Sequence, residues 1–433
     1  MTPSQVNPAL PAGSRLLHIG LPKTGTTTLQ RGAAVNRTAL LEHGVCYPGK
    51  GFNHRDAVAA LMQRPLGWRD NGATLHGQQK WQQLIDEVRK FDSRRSASKD
   101  SSARRAFISH EFVCESTDRQ VERFADEIGR DRLQVAVTLR GFADLLPTNW
   151  QQFVKSGSTR SFDSWLKIVL NEKRAAKDAP TFVKRNDQAA IIRRWTRIVG
   201  PERVSVVIAD KRQPDFLINS FEDLLDLPRG TMSSRPVGGY AANRGLSSAE
   251  VELVRRLNTV VREQGYDWRR YTDLIRHGVI ARMQECRRPA VDEPSPVLPE
   301  WAATKALARA QKYVAAIEES GCRVIGDLAL LTADVRTVPR VEAPQQLPVD
   351  AVFEAVAGLI SAADGRGPFF DQAADGVEGR RTTDPRLERF AGADETLTVL
   401  NAHRATRHLT GGAIGAVLVS RMTERIRRLV GRS

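Results

Sequence analysis

Short apolar runs alternate with stretches of helical periodicity along the first half of the chain. The runs are RLLHIG (15–20), AFIS (106–109), LQVAVTL (133–139) and VSVVIA (204–209). Short, β-branched runs of this kind predict buried strands. Because helical patterns separate them, we predict an α/β fold with a central parallel sheet flanked by helices.

The first apolar run leads through a glycine-containing loop into a helical pattern, predicted as one helix from Thr26 to Glu42. The order strand, loop, helix resembles the element that binds phosphate in P-loop proteins. The run GCRVIGDLALL (321–331) predicts one more strand and a turn.

Helical patterns dominate the second half of the chain. One begins near Asn243, with Ser247 or Ser248 as its cap, and another covers Trp301 to Ser320. Residues 287–299 and 337–348 are rich in proline and predict connecting segments.

These patterns divide the chain into three parts. We expect a flexible N-terminus over residues 1–14, one main domain over 15–335, and a linker with a mainly helical C-terminal extension over 336–433.

Composition agrees with a globular protein and adds a strong positive charge. The 433 residues are 41% hydrophobic and 27% charged, with a formal net charge of +15. These values exclude a fibrous or wholly disordered chain, and the positive field favours anionic ligands. No recognised nucleic-acid-binding module is evident, so we expect no nucleic acid partner.

The four cysteines lie far apart, without C-x-x-C pairs or histidines at metal-ligand spacing. We therefore expect reduced cysteines and no metal site. The N-terminal residues lack the basic and apolar regions of a secretory signal, and no apolar run reaches membrane-spanning length. These features predict a cytoplasmic protein.

The segment GLPKTGTTTLQ (20–30) has the chemistry of an anion site. Backbone N–H groups converge where the helix begins, and Gly25 allows a tight turn and close backbone approach. Lys23 supplies a mobile positive charge. The hydroxyls of Thr26, Thr27 and Thr28 add donors.

The position of the lysine separates this loop from that of the nucleotide hydrolases. Their pattern G-x-x-x-x-G-K-[ST] has lysine directly after the second glycine, where this chain has Thr26. The segment resembles the 5'-phosphosulfate loop of sulfotransferases that use 3'-phosphoadenosine 5'-phosphosulfate (PAPS), whose pattern is P-K-[ST]-G-[ST]-[ST]. This resemblance implies that the donor is bound by Lys23, Thr24, Gly25, Thr26, Thr27 and Thr28.

Two further segments fit the same family. Arg140 ends a predicted strand and Thr148 follows eight residues later, an interval at which the family holds the donor's 3'-phosphate with arginine and serine. Gly141 and Phe142 depart from the Asp-Pro or Asn-Pro that often follows the arginine. In this chain Arg140 can pair with a phosphate through two hydrogen bonds.

The segment ISHEFVCES places His110 and Glu111 at the end of a predicted strand. The family uses Glu or His at such a position as the base that deprotonates the acceptor. Adjacent residues in an extended segment point to opposite sides, so one of the two is expected to face the pocket. We favour Glu111, since the carbohydrate-modifying branch commonly uses Glu, with His110 as the alternative.

The resemblance covers about residues 15–225 and is to the bacterial and carbohydrate-modifying branch. It implies transfer of a sulfuryl group from PAPS, without a metal, to a hydroxyl or amine of a small molecule, glycan or lipid. His54, Lys155 and Arg160 are weaker candidates for contacts. The alternatives are a P-loop kinase and a non-catalytic anion-binding protein.

The C-terminal segment 413–430 combines an apolar stripe with several arginines at helical spacing. A basic amphipathic helix of this kind either contacts an anionic membrane surface or packs on the protein's own core.

Overall fold

The computed structural model describes residues 9–67, 77–93, 104–233 and 244–365. Its centre is a six-stranded parallel sheet with strand order β2-β3-β1-β4-β5-β7, as the alternation of patterns predicts. A two-stranded parallel sheet, β6-β8, lies apart from it. The strands are β1 (Arg15–His18), β2 (Val45–Cys46), β3 (Arg105–Ser109), β4 (Leu133–Leu139), β5 (Val204–Ile208), β6 (Leu298–Pro299), β7 (Arg323–Ile325) and β8 (Thr337–Val338).

Helices surround the sheet and form most of the second half of the chain. They are α1 (Thr26–Val35), α2 (Arg37–Glu42), α3 (Arg55–Met62), α4 (Gln79–Ser93), α5 (Asp118–Ile128), α6 (Phe142–Lys155), α7 (Phe162–Val169), α8 (Glu172–Asp178), α9 (Pro180–Asn186), α10 (Gln188–Val199), α11 (Phe216–Leu225), α12 (Ser248–Glu263), α13 (Trp268–Tyr271), α14 (Ala281–Cys286), α15 (Glu300–Glu319) and α16 (Val349–Ala363). A π-helix, Thr272–Ile280, joins α13 to α14, and short 3₁₀ turns cover Glu111–Glu115, Pro201–Arg203 and Leu328–Leu331.

Three local predictions differ from the structure. The single helix predicted from Thr26 to Glu42 is two helices, because the Asn36 side chain bonds to the Gly32 carbonyl oxygen at 2.8 Å and interrupts the helical path. The two proline-rich connecting segments contain β6 and β8, which pair with each other. Strand β2 has only two residues, too few to show a pattern in the sequence.

The order of the strands creates a crevice between β1 and β3. From β1 the chain crosses to β2 on one side, whereas from β3 it crosses to β4 on the other. Both strands run in the same direction and pair directly. Ligands bind parallel sheets at such switch points, beyond the carboxyl ends of the strands, and this is where the loop after β1 and Glu111 lie.

Alternate residues of the strands build separate cores on the two faces of the sheet. Leu17 and Val135 pack with Trp195 of α10 on one face, while Leu16 and Phe107 pack with α1 and α11 on the other. The strands are buried on both sides, which explains their continuous apolar runs.

A third core holds the helical layer together, with residues from α6, α7, α12, the π-helix and α15. Helix α16 packs on the π-helix through two glycines. A Cβ placed on Gly358 would lie 2.4 Å from the Gly278 carbonyl oxygen. The two backbones therefore touch, and Arg282 adds an ion pair to Glu354 at 2.7 Å.

The described part of the N-terminal segment is attached to the domain: Leu10 is buried, and its N–H donates to the Leu224 carbonyl oxygen at 3.0 Å. Among the described residues no helix is both long and apolar enough to cross a bilayer. The predicted C-terminal helix over 413–430 lies outside the described residues.

Candidate active site

The loop that follows β1 turns tightly against the end of β3. Gly20 and Gly25 have φ values of 96° and 95°, in the left-handed region that favours glycine. A Cβ on Gly20 would lie 2.9 Å from the Glu111 Cα, and one on Gly25 would lie 2.6 Å from a methyl group of Leu217. Gly20 therefore lets the loop pass directly over the residue predicted to be the base, and Gly25 lets it pack against α11.

Helix α1 points its N-terminus at the same place. Gly25 is its N-cap, no side chain caps it, and no acidic residue lies in its first turn. The positive end of the helix is thus available to an anion.

The threonines of the loop have different environments. Thr28 is exposed and Thr27 half-buried, whereas Thr26 and Thr24 are buried. The Thr24 hydroxyl donates to the Leu21 carbonyl oxygen at 2.7 Å. Thr24 therefore offers a ligand its backbone rather than its hydroxyl.

Lys23 has a left-handed backbone, with φ 70°, which costs a non-glycine residue about 1 kcal/mol and is typical of ligand-binding turns. Its Nζ donates to Oε1 of Gln152 on α6 at 2.8 Å. Burial lowers its pKa to about 8; the negative charge of Glu111 opposes this shift, and the positive charge of Arg276 adds to it. Lys23 is still mainly protonated at neutral pH.

The two candidate bases differ in accessibility. His110 is buried, and its Nδ1 accepts the Phe112 backbone N–H at 3.1 Å, which caps the 3₁₀ turn. Burial lowers the His110 pKa. Glu111 is half-buried and accepts a hydrogen bond from Nε2 of Gln30 at 3.1 Å.

The carboxyl group of Glu111 is ionised at neutral pH. Burial alone would raise its pKa, but His110, the backbone N–H of Glu111 and the Gln30 amide outweigh that effect and lower it. A half-buried, ionised carboxylate beside a cationic loop can accept a proton from a bound hydroxyl.

A buried histidine connects the phosphate-type loop with β3 and β4. His18 Nδ1 is 2.8 Å from the Ser109 hydroxyl, and its Nε2 is 3.2 Å from the Thr138 hydroxyl. Thr138 in turn lies 2.6 Å from the Thr24 hydroxyl. Burial lowers the His18 pKa to about 3, so the ring is neutral, with one nitrogen donating and the other accepting.

Gln30 continues this network to the candidate base. Its Nε2 donates to Ser109 at 3.2 Å as well as to Glu111, and its Oε1 accepts from Asn53 at 3.3 Å. The network therefore runs, in order, through Thr24, Thr138, His18, Ser109, Gln30 and Glu111. It fixes the loop and the carboxylate relative to each other.

A buried ion pair supports the segment behind Glu111. Glu115 accepts from Arg185 of α9 and from Arg64, both at 2.6 Å. The Arg185 guanidinium also lies over the Phe112 ring, 4.2 Å from its centroid. These contacts hold the 3₁₀ turn against α9.

The predicted 3'-phosphate contacts lie at the carboxyl end of β4 and along α6. Arg140 is half-buried, and its Nε is 3.4 Å from Asp144 Oδ2. Asp144 also accepts from Lys211 at 3.1 Å. The Thr148 hydroxyl donates its one hydrogen bond to the Leu145 carbonyl oxygen at 2.9 Å, so a phosphate at this place would have to take that donor from Leu145. The two side chains have separate protein partners.

The weaker candidates lie in three different environments. His54 is buried, with Nδ1 accepting from the Ser109 backbone at 2.9 Å and Nε2 bonded to the Pro48 carbonyl oxygen at 2.9 Å, so its role is structural. Arg160 is exposed and bonds to a backbone carbonyl. Lys155 is half-buried at the end of α6.

Three residues of the site were not predicted from the sequence: His18, Gln30 and Gln152. A helical-spacing signal was present for the two glutamines: Gln30 is four residues after Thr26 on α1, and Gln152 is four after Thr148 on α6. No signal marked His18, because a histidine within an apolar strand is usually a satisfied core residue.

Two other clefts lie away from the carboxyl ends of the strands. One is at the amino ends of the strands beside Arg132, and the other is beside Arg123 of α5. Within the described ranges, no group of three or more His, Cys, Asp or Glu side chains is arranged to hold a metal ion.

No protein-family model matches this sequence, and no curated protein matches it. Among solved structures, the chain is similar to the crystal structure of a sulfotransferase from Alicyclobacillus acidocaldarius, at 16% sequence identity and a TM-score of 0.36. The match covers 59% of this chain and 98% of that chain. Proteins this different in sequence can share a fold and differ in function, so the chemistry of the site rests on its own residues.

Proposed function

We propose that this chain is a sulfotransferase that moves a sulfuryl group from PAPS to an acceptor hydroxyl or amine. The observation that carries the proposal is the packing of the phosphate-type loop directly against Glu111, with Gly20 in contact with the Glu111 backbone. This packing brings the positively charged loop and an ionised carboxylate to one crevice. Sulfuryl transfer needs both.

In the proposed reaction the acceptor oxygen or nitrogen attacks sulfur in line with the bond to the 5'-phosphate oxygen. The new bond to sulfur forms as that bond breaks, and Glu111 takes the acceptor's proton. The electron pair of the broken bond leaves with 3'-phosphoadenosine 5'-phosphate (PAP). Lys23 and the N-terminus of α1 stabilise the charge that develops on the departing phosphate.

The buried network has a positioning role in this proposal. His18 and Gln30 hold the loop and Glu111 in fixed register, so the base and the leaving-group site do not move independently. No proton transfer through His18 is required.

Arg140 and Thr148 are the proposed contacts of the donor's 3'-phosphate, with the Thr148 hydroxyl rotating from the Leu145 carbonyl oxygen to donate to a phosphate oxygen. In the free protein Arg140 is paired with Asp144, and a phosphate offers it a doubly charged partner instead. Lys211 stays with Asp144 and offsets its negative charge.

The position after Gly25 argues against a P-loop kinase, because Thr26 stands where the lysine for the β- and γ-phosphates is needed. The acceptor, proposed to be a glycan, lipid or small molecule, and the cytoplasmic location are predictions from the sequence. Membrane contact through residues 413–430 is a prediction as well.

The proposal is tested by calorimetric titration with PAP and by transfer from labelled PAPS to a panel of acceptors. Lys23→Ala should nearly abolish transfer. Arg140→Ala should weaken binding of PAP far more than binding of adenosine 5'-phosphate, which lacks the 3'-phosphate. Lys50→Ala, at an exposed lysine of the neighbouring loop, is the matched control and should behave as wild type.

Wild-type turnover of Lys23→Ala would contradict the assignment of the loop. Equal losses of PAP and adenosine 5'-phosphate binding in Arg140→Ala would remove Arg140 from the 3'-phosphate site. Failure of the wild type to bind PAP would overturn the proposed function.

A further inference from the structure

Two half-buried cations lie beyond Lys23 without acidic partners. Lys155 and Arg276 form no ion pair within the described ranges, and neither donates a side-chain hydrogen bond there. The Arg276 guanidinium lies over the Trp268 ring, 5.7 Å from its centroid. Cations removed from water are normally paired, so this arrangement favours an anionic ligand.

The π-helix brings the two cations to one corner. The Tyr271 hydroxyl lies 3.3 Å from the carbonyl oxygens of both Val154 and Lys155, and 3.0 Å from Asn258 Oδ1. It therefore ties the start of the π-helix to the end of α6. Arg276 follows about one π-helical turn after Tyr271. The Trp268 ring, over which Arg276 lies, is stacked on the Tyr271 ring with 5.3 Å between centroids.

The charges of these cations and of Lys23 influence one another, in agreement with the contacts of Tyr271. Burial lowers the Lys155 pKa to about 7, and the positive charges of Lys23, Arg244 and Arg276 add to the effect, against the opposite influence of Glu250. Arg276 lowers the Lys23 pKa as well. Of these groups, Arg244 is already paired with Glu250 at 2.7 Å, which leaves Lys155 and Arg276 to a ligand.

Helix α6 shows which side of Lys23 this corner occupies. The proposed 3'-phosphate contacts are Arg140, before the helix, and Thr148; Gln152, which holds Lys23, is one turn further on. Lys155 ends the helix, about 10 Å along its axis from Thr148. The two cations thus lie past Lys23, away from the proposed 3'-phosphate contacts.

We propose that Lys155 and Arg276 form a second anion subsite, which binds a carboxylate, phosphate or sulfate group carried by the acceptor. The sequence resemblance leaves the acceptor open among small molecules, glycans and lipids. This subsite favours those acceptors that carry an acidic group. The proposal rests on the proposed function for the identity of the acceptor, and on the cation pair alone for anion binding.

The test uses inorganic sulfate as the probe, titrated by calorimetry into protein saturated with PAPS in the absence of acceptor. Wild type should bind sulfate, and Arg276→Gln and Lys155→Gln should each weaken it about ten- to a hundredfold. Arg276→Lys should restore part of the affinity. Arg269→Gln, at an exposed arginine of the same helical stretch, is the matched control and should leave binding unchanged.

A second measurement separates the acceptor subsite from the donor's own sulfuryl group. Affinities for PAPS and for PAP should both be unaffected by Arg276→Gln. A loss for PAPS alone, or exclusion of sulfate by bound PAPS, would assign the cations to the donor and overturn the proposal. Absence of sulfate binding by the wild type would overturn it too.

An acceptor screen gives the functional readout. Acidic hydroxyl acceptors, such as a uronic acid glycoside, should be preferred over the matching neutral glycoside, and Arg276→Gln should remove that preference. If PAP and PAPS both fail to bind, the proposed function fails by itself. Sulfate titration of the ligand-free protein then still tests the cation pair.

Discussion

The two halves of the candidate site are built in different ways. One half lies at the carboxyl ends of β1 and β3 and is called the sheet edge below. It consists of a short contiguous loop, the start of one helix and the residue after a neighbouring strand. The helical layer brings Lys155 and Arg276 together from segments more than a hundred residues apart, through α6 and the π-helix. The residues of the sheet edge are therefore close together in the sequence, whereas those of the helical layer meet only because distant helices pack together.

The two regions also differ in the interactions that hold their residues in place. Strands of the sheet edge are buried on both faces, and the site residues there are held by a continuous hydrogen-bond network. In the helical layer, position depends on helix packing and on the close backbone contact of α16 with the π-helix. Substitutions at the sheet edge should therefore alter transfer and the stability of that edge, whereas substitutions in the helical layer should alter sulfate binding and the contact of α16 with the π-helix.

The largest expected effect is on the chemistry of the sheet edge. Glu111→Gln keeps the shape and one hydrogen-bond partner but cannot take the acceptor's proton, so transfer should fall roughly 10² to 10⁴-fold. Binding of PAP should be close to wild type. Glu42→Gln, at an exposed position on α2, is the control.

The measurement is the initial rate of transfer from labelled PAPS under donor saturation, with PAP affinity measured in parallel. A larger loss for His110→Ala than for Glu111→Gln, in protein that remains folded, would exchange the roles of these neighbours.

The second-largest expected effect is on the stability of the sheet edge. Glu115→Ala leaves Arg185 buried without its carboxylate, and breaking such a pair costs about 3–5 kcal/mol in the free energy of unfolding. Asp118→Ala is a matched control, because Asp118 also contacts two arginines, Arg194 and Arg197, but is exposed. Its loss should cost about 0–1 kcal/mol.

Urea unfolding followed by circular dichroism compares the two variants directly. Similar losses for Glu115→Ala and Asp118→Ala would show that the buried pair does not stabilise the segment behind Glu111.

The smallest expected effect concerns the helical layer. Gly358→Ala should raise helix propensity by about 1 kcal/mol, yet the new methyl group would meet the Gly278 carbonyl oxygen at 2.4 Å. Overpacking of this kind costs about 1–3 kcal/mol. The melting temperature should therefore fall despite the better helix former.

A higher melting temperature for Gly358→Ala would show that α16 is not held in close contact with the π-helix. Sulfate binding in the same variant sharpens the comparison, because displacement of the π-helix should weaken the corner at Arg276 while leaving PAP binding intact.

Much of the sheet edge could be predicted from the sequence. Apolar runs correctly predicted β1, β3, β4 and β5, and the glycine turn predicted after β1 is present; anion binding by this loop stays a prediction. Prediction failed where short-range patterns are weak. Strand β2 is too short to show periodicity, and the side chain of Asn36 competes for a carbonyl oxygen that the helical pattern assigns to the backbone.

For the site itself, the sequence supplied candidates without their environments. It left His110 and Glu111 as alternatives; the fold buries His110 as a cap of the 3₁₀ turn and leaves Glu111 half-exposed. Thr24 looked equivalent to its neighbours, but its hydroxyl bonds inward to Leu21. Burial and partners of this kind arise only when the strands are assembled.

The sequence by itself determined the elements that depend on neighbours along the chain: the strands, the glycine turn, the charge of the loop and the start of α1. Only the tertiary structure decided which strand ends meet, through the order β3-β1-β4, and which cations lie together, through Tyr271 and the π-helix. The physical reason is the distance along the chain over which each interaction acts. Backbone preference and hydrophobic periodicity act over a few residues, while burial, charge coupling and close backbone contact act between residues that only folding brings together.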